Sequence, residues 1–489
     1  MGAEERMQPL NIESRLELFV DDHLLDRLSN GATRRLHTPQ PKEIALVYDR
    51  PWEGNTSGYF TVLRDYNGFR MYYRGSGATY LPDGYFGGGQ VTCVAESTDG
   101  INWERPKLDL FEVGGHRHNN VILTSDVAGK AVHNLCPFLD PRREVPDEER
   151  YKALGGGKAD LLALASPDGI HWKQIGDSAV ITDGAFDSQN LAFWDTTREE
   201  YRAYFRDFRE GRDIKTSASA DFREWTKPEW LTYTPERVSE LYTNQIQPYY
   251  RAPHILLGFP TRYVQRPWQP ATDYLPHPEY RRMRARISYR EGTAVTDGMF
   301  MSSRDRQHFH IWEESFLRPG LWSRDGWFYG DNYQSLGLIE TASDRDERIN
   351  ELSFFVSEGS NQPTHARLRR HTIRIDGFVS VAAPLRGGEV VTKALQFEGR
   401  KLLINYATGA AGSVRVEIQD AEGAAIEGYA LDDAEELFGD SLEQPVLWKH
   451  GADVGSLEGR PVRLRFVLAD ADLYSLRFTD PATEPYVPR

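Results

Sequence analysis

The stretch Ser97-Thr98-Asp99-Gly100-Ile101-Asn102-Trp103 decides the fold, because it occurs four times. Ser166-Pro167-Asp168-Gly169-Ile170-His171-Trp172 is a second full copy, and worn copies begin at Ser219-Ala220-Asp221-Phe222 and Ser303-Arg304-Asp305-Arg306, ending at Trp225 and Phe309. Asp-Gly is a strong hairpin signal: Gly accepts a positive φ, and the Asp carboxylate bonds nearby backbone N–H groups. The aromatic residue three positions later anchors the returning strand. Copies spaced by roughly 50 to 90 residues suit four-stranded blades arranged around a channel. The motif is structural, and its use is positional: where one blade ends, the next begins.

Outward from the motif, helical periodicity is nearly absent, and short alternating runs are bounded by Gly, Asp, Asn and Pro. Five similar units can be cut, which predicts an all-β chain: a five-bladed β-propeller over about residues 15–380, after an N-terminal segment 1–14. From 385 to 480 the strands alternate without the motif, as a β-sandwich accessory domain would. Residues 261–290, inside the fourth unit, are rich in Pro, Arg and Tyr and lack strand alternation; they form either a lid or a surface elaboration.

Composition narrows the partners. With 73 acidic against 58 basic residues, the net charge of −15 disfavours nucleic acid and anionic membranes. No apolar run reaches the length of a signal peptide core or a membrane span, so a cytoplasmic protein is expected. Cys93 and Cys136 are too few for a disulfide framework and lack metal-ligand spacing, so buried thiols, no metal and no cofactor are expected. The 24 Tyr and 11 Trp exceed ordinary packing needs, and such rings stack on the C–H faces of sugars.

In a propeller the residues entering each innermost strand face the channel mouth. Here they read Glu53-Gly54-Asn55-Thr56-Ser57, His133-Asn134, Asp187-Ser188-Gln189-Asn190, Asn244-Gln245-Ile246-Gln247 and Asp331-Asn332-Tyr333-Gln334. Five polar clusters in register, rich in amides, suit a ring that holds hydroxyls and so a carbohydrate partner. Glu53, Asp187 and Asp331 supply carboxylates, and glycoside cleavage needs one carboxyl as acid and another as nucleophile or base. Asp331 is assigned as general acid, Glu53 as nucleophile or base, and Asp187 as the hydroxyl-binding third carboxylate. Asn55, His133, Gln189, Asn190, Asn244, Gln245 and Gln247 are assigned to substrate, with Arg74, Arg206 and Asp297 at the cavity. Arg262, Asp183, Asp207, Glu358, Asp21 and Asp22 are further candidates.

The phrase from Ala185 to Asp195, with Asp187 leading into Phe193-Trp194-Asp195, resembles the Arg-Asp-Pro segment of five-bladed propeller glycosidases of the invertase and levanase type, glycoside hydrolase family 32. Trp52-Glu53-Gly54-Asn55 resembles the segment that carries their nucleophile. Glu53 stands where that family has Asp, no Arg precedes Asp187, and the Glu-Cys signature is missing. The likeness extends to the wider clan that includes family 43, and it implies a glycoside hydrolase acting on a furanoside or related small glycan. A non-catalytic carbohydrate-binding propeller and a propeller-type glycoside phosphorylase are the alternatives.

Overall fold

All four copies of the repeated motif close the same turn. Ser97, Ser166, Ser219 and Ser303 each accept at Oγ from the backbone N–H three residues on. The Asp Oδ1 of each copy accepts from the N–H groups two and three residues beyond it. These bonds hold the Asp99 and Asp168 carboxyls down to about 2, against partial burial that pushes them up. The residue after the Asp has a φ of 73° at Gly100, 74° at Gly169, 66° at Phe222 and 79° at Arg306. Two copies thus keep the left-handed turn without glycine.

The computed structural model describes residues 8–321 and 326–480 and divides the chain into two units, 38–373 and 1–37 with 374–489. Within 38–373 five sheets of four or more strands are described. The first holds Gly58–Asp65, Gly68–Gly75, Val91–Ser97 and Val121–Thr124, and the second Cys136–Leu139, Tyr151–Gly156, Leu161–Ser166 and Lys173–Gln174. Leu191–Asp195, Glu200–Phe208, Arg212–Ser219 and Glu229–Trp230 form the third. The fourth contains Gln247–Tyr249, Ala252–Gly258, Met301–Ser303 and His308–Ile311, with Thr232–Thr234 parallel to the last. Ile339–Ala342, Asn350–Glu358 and Arg367–Ile373 make the fifth, and Gln40–Val47, from before the first sheet, closes it.

The starts of the inner strands meet at a common centre, which makes the unit a propeller. Val62 N donates to Leu336 O at 2.8 Å and Leu336 N to Phe60 O at 3.0 Å. Gln189 Nε2 reaches Phe60 O at 3.1 Å and Thr61 Oγ1 at 3.0 Å, and Gln245 Nε2 reaches Gln189 Oε1 at 2.6 Å. Each repeated motif then presses its left-handed residue against the sheet before it. A Cβ on Gly100 would come within 2.6 Å of Ile339 in the fifth sheet, and one on Gly169 within 2.4 Å of Tyr72 in the first. Phe222 packs on Phe138 of the second sheet, ring centroids 5.6 Å apart, and Arg306 bonds Asp195 of the third.

The other unit differs from the expected sandwich in its boundaries. Leu10–Glu13 runs parallel to Leu395–Phe397, Leu25–Ser29 pairs with Gly388–Thr392, and Thr33–Leu36 with Val379–Ala383. Residues 15–37 therefore belong with the C-terminal strands and not with the propeller, and so do Asp21 and Asp22, the latter 2.9 Å from Arg34. Two long strands, Lys401–Asp420 and Val462–Thr479, organise this unit, and its core includes Phe397, Trp448 and Phe466.

A buried histidine ties propeller stability to pH. His371, on the fifth sheet, lies against Phe354 with 6% exposure, and burial lowers its pKa to about 4. The folded protein holds this ring neutral, whereas the unfolded chain protonates near pH 6.5, so stability is full above that value and falls toward pH 4. Between pH 7 and pH 5 the loss from this group is expected to be about 2 kcal/mol. Urea midpoints at the two pH values test it: His371→Gln should flatten the difference, and an identical slope in the variant would refute the assignment.

Candidate active site

Asp187 is held by its neighbours' amides. It lies between Phe186 and Ser188, whose carbonyls both accept from Asn134 Nδ2, at 2.7 and 2.5 Å, and from Asn190 Nδ2, at 2.9 Å each. Ser188 Oγ donates to Tyr242 O at 2.8 Å. Asn190 was expected to hold sugar hydroxyls; buried, it instead fixes the backbone on either side of the carboxylate. Asn190→Ala would leave those carbonyls one donor short. A loss of about 1–3 kcal/mol in urea unfolding is expected, and a neutral result would refute the clamp.

The Asp187 carboxylate enters a cavity of about 360 Å³. Its Oδ1 lies 2.9 Å from His133 Nε2, and His133 Nδ1 lies 3.0 Å from Gln90 Oε1. Arg74 spans the face of this imidazole, Nη1 being 3.4 Å from both ring nitrogens, while Nη2 donates to Thr56 O at 2.7 Å. The hydrogen bond from His133, followed by the charges of His133, Arg206 and Arg74, holds the Asp187 carboxyl down to about 2 despite burial. Burial first, then the charges of Arg74 and Arg206, lower the His133 pKa against the raising effect of Asp187. At neutral pH the pair is thus an anionic carboxylate beside a neutral imidazole.

Tyrosines make much of the wall. Tyr59, Tyr242, Tyr329 and Tyr333 line the cavity, with Tyr329 OH donating to Tyr242 OH at 2.5 Å. Arg74 lies over Tyr59 at 4.7 Å from the ring centroid, Arg206 over Tyr242 at 4.9 Å and Arg290 over Tyr329 at 4.7 Å. The insertion contributes directly. Its helices Pro278–Ile287 and Tyr289–Thr293 bring Ser288, Arg290 and Glu291 to the cavity. Arg284, fully buried, donates to Glu291 Oε2 at 2.6 Å and lies over Tyr80, from the hairpin Ala78–Leu81 and Gly84–Gly87. Arg290 Nε meets Glu291 Oε1 at 3.1 Å.

The other expected site residues lie elsewhere. Glu53 does not line the cavity: its side chain is fully buried, bound by Arg105 at 2.8 and 3.0 Å and by Tyr73 OH at 2.6 Å. Asp331, also fully buried, accepts from Phe328 N at 2.9 Å and Ser360 N at 2.8 Å, a turn-closing role. Neither carboxylate meets Asp187 in the cavity. Gln189 and Gln245 sink to the propeller axis, and Asn244 is buried with Oδ1 3.4 Å from Ile246 N. Asn55 ties Gln362 O to Ala78 N, and Gln247 sits on the inner strand of the fourth sheet. Asp297 is engaged by Arg262 at 2.9 and 2.5 Å, Asp183 and Asp207 by Lys215, and Glu358 by Arg367 and Arg369. Arg206 is buried behind the cavity, with Nε 3.3 Å from Ala185 O. Sequence reasoning missed Glu291 and Arg290, whose signal was the Arg-rich insertion that ends beside them, and did not single out the four tyrosines, whose signal was the high tyrosine content of the chain.

Cys93 and Cys136 are buried free thiols. Among the described residues no group of three or more His, Cys, Asp or Glu is placed to hold a metal ion, and no helix is long and apolar enough to cross a membrane.

The solved structures to which the chain is similar include several glycoside hydrolases. One is a family 43 arabinoxylan arabinofuranohydrolase from Bacillus subtilis, in complex with cellotetraose: 11% identity, covering 90% of this chain and 99% of that one, TM-score 0.42. Another is a family 32 β-fructofuranosidase from Bombyx mori, at 10% identity, 92% and 95% coverage and TM-score 0.39. A structure from family 130, described as mannoside phosphorylases that contain glycoside hydrolases targeting β-1,2 mannosidic linkages in Candida mannan, is similar at 10% identity, with 70% and 96% coverage and TM-score 0.39. No protein-family model and no curated protein matches the chain.

Proposed function

We propose that the propeller is a glycoside-cleaving enzyme whose reaction takes place in the tyrosine-walled cavity. The observation that carries this reading is that Asp187 and Glu291, from separate elements, both line one cavity of about 360 Å³. A sugar ring stacks on tyrosine faces there, and its hydroxyls meet Asp187, His133 and Asn361. Asp187, ionised down to about pH 2, suits the nucleophile or the base that takes a proton from water. It does not suit the acid, since only about one carboxyl in 10⁵ would carry a proton at pH 7.

Glu291 is then the proton donor to the departing glycosidic oxygen. Arg284 and Arg290 fix the position of this side chain in the cavity wall. Glu291 protonates the leaving oxygen, the C–O bond breaks, and water adds at the anomeric carbon, giving its proton to Asp187 in direct attack or back to Glu291 when a covalent Asp187 intermediate is hydrolysed.

The test uses glycosides that differ in leaving group. Glu291→Gln should lower turnover of alkyl glycosides by about 10²–10⁴-fold yet largely spare dinitrophenyl glycosides, whose leaving oxygen needs no proton. Equal losses on both would reject Glu291 as the acid. Sugar binding without any turnover by the unmodified protein would indicate a carbohydrate-binding propeller.

A further inference from the structure

The charge around this cavity is opposite to that of the chain. The protein carries −15 overall, yet Arg74 and Arg290 line the cavity, with Arg206 and Arg284 directly behind, against two carboxylates, Asp187 and Glu291. Glu291 takes Arg284 and Arg290, which leaves Asp187, hydrogen-bonded to the neutral His133, as the anion facing Arg74 and Arg206. Neither Arg74 nor Arg206 forms an ion pair with a carboxylate among the described residues; Arg74 bonds the Thr56 carbonyl and the His133 ring, and Arg206 bonds the Ala185 carbonyl and lies over Tyr242. The buried Arg74 Nε has no hydrogen-bond partner at all. Two guanidiniums that share the single charge of Asp187 leave an excess of positive charge, which an anionic ligand would balance.

The surroundings register the same excess of positive charge. The hydrogen bond from His133 is the main cause that shifts Asp187 down and burial the main cause that shifts His133 down, and the charges of Arg74 and Arg206 add to both shifts. Hydroxyls alone would satisfy the amide, serine and tyrosine groups of the wall without neutralising this field. A planar oxyanion would do both, since it accepts from the guanidinium fork in two parallel bonds.

We propose that the cavity takes an acidic sugar, a glycoside whose glycone carries a carboxylate that is bound by Arg74 within the field of Arg206 and Arg290. This deepens the glycoside-cleaving reading, on which it rests, by naming the substrate class. The carboxylate takes the place of the missing counter-ion, the pyranose face stacks on the tyrosines, and Asp187 is left for the anomeric carbon.

Binding of free monosaccharides tests this separately from catalysis. Calorimetric titration of the intact protein with glucuronate and galacturonate, against glucose and galactose, should favour an acidic sugar over its neutral counterpart by about 10- to 100-fold. That preference should weaken as ionic strength rises. Arg74→Met should abolish the preference, and Arg74→Lys should restore part of it. Equal affinity for acidic and neutral sugars would overturn the acidic-sugar proposal and leave the cleavage reading standing. Inorganic phosphate that binds alone and fails to compete with uronate, or that accelerates turnover of a neutral glycoside, would place the oxyanion off the sugar and also overturn it. Uronate binding with no cleavage of any aryl uronoside would sustain the specificity and reject the cleavage reading.

Discussion

Asp187→Asn should lower turnover by about 10³-fold while leaving the melting temperature and sugar affinity little changed. The amide keeps the size of the carboxylate, and the carbonyls of Phe186 and Ser188 remain held by Asn134 and Asn190, so the backbone stays in place. What disappears is the negative charge that attacks the anomeric carbon or activates water. Because the carboxylate raises the His133 pKa, its removal makes this imidazole harder to protonate, and no new cation arises to confuse the result. Initial rates on an aryl glycoside, with thermal melts beside them, are sufficient. A variant as fast as the parent would remove Asp187 from the chemistry. The pH profile adds a check: an acid limb above pH 3 reports a group other than Asp187, which stays ionised to about pH 2.

Asp195→Ala is expected to cost about 3–5 kcal/mol, the largest stability effect proposed for this chain. Asp195 is fully buried, and its oxygens meet Arg306 Nε at 2.5 Å and Nη2 at 3.1 Å, while Thr197 N and Oγ1 donate at 2.9 and 2.7 Å. Removing the carboxylate leaves the Arg306 guanidinium, 2% exposed, between the third and fourth sheets with only carbonyls and the Thr197 hydroxyl to bond. Urea unfolding measures the loss. Arg306→Met added to Asp195→Ala should recover part of it, because the stranded charge is then gone; a double variant as unstable as the sum of the two would argue against this account.

The propeller was legible because its signal is local. Ser97, Asp99, Gly100 and Trp103 form one turn within seven residues, and the pattern survives when Phe222 or Arg306 replaces glycine. The site was legible in part. Asp187 and His133 precede inner strands and reach the cavity, whereas Gln189, two positions further on, turns to the axis. In sequence both are polar residues at a strand start, and only the packing of the sheets separates them. Glu53 misled for a different reason: Arg105, its partner, lies on another stretch of chain, and nothing near Glu53 announces it. Glu291 and Arg290 stand in a helical insertion with no motif to mark them. The N-terminal strands were assigned to the wrong unit because their partners, from Val379 onward, lie more than 300 residues away.

The closing strand of the fifth sheet also sets an order of events during synthesis. Glu43, on that strand, pairs with Arg370, 327 residues later, so at ordinary ribosomal rates it waits roughly 15 to 65 s for its partner to emerge. During that interval Gln40–Val47 is an unpaired edge in a crowded cell. Its leading half, Gln40-Pro41-Lys42-Glu43, carries a proline and two charges, features that discourage pairing with a foreign strand, and only Ile44-Ala45-Leu46-Val47 is apolar. The nascent chain thus keeps its ring open with a strand that resists premature partners until the last blade arrives to receive it.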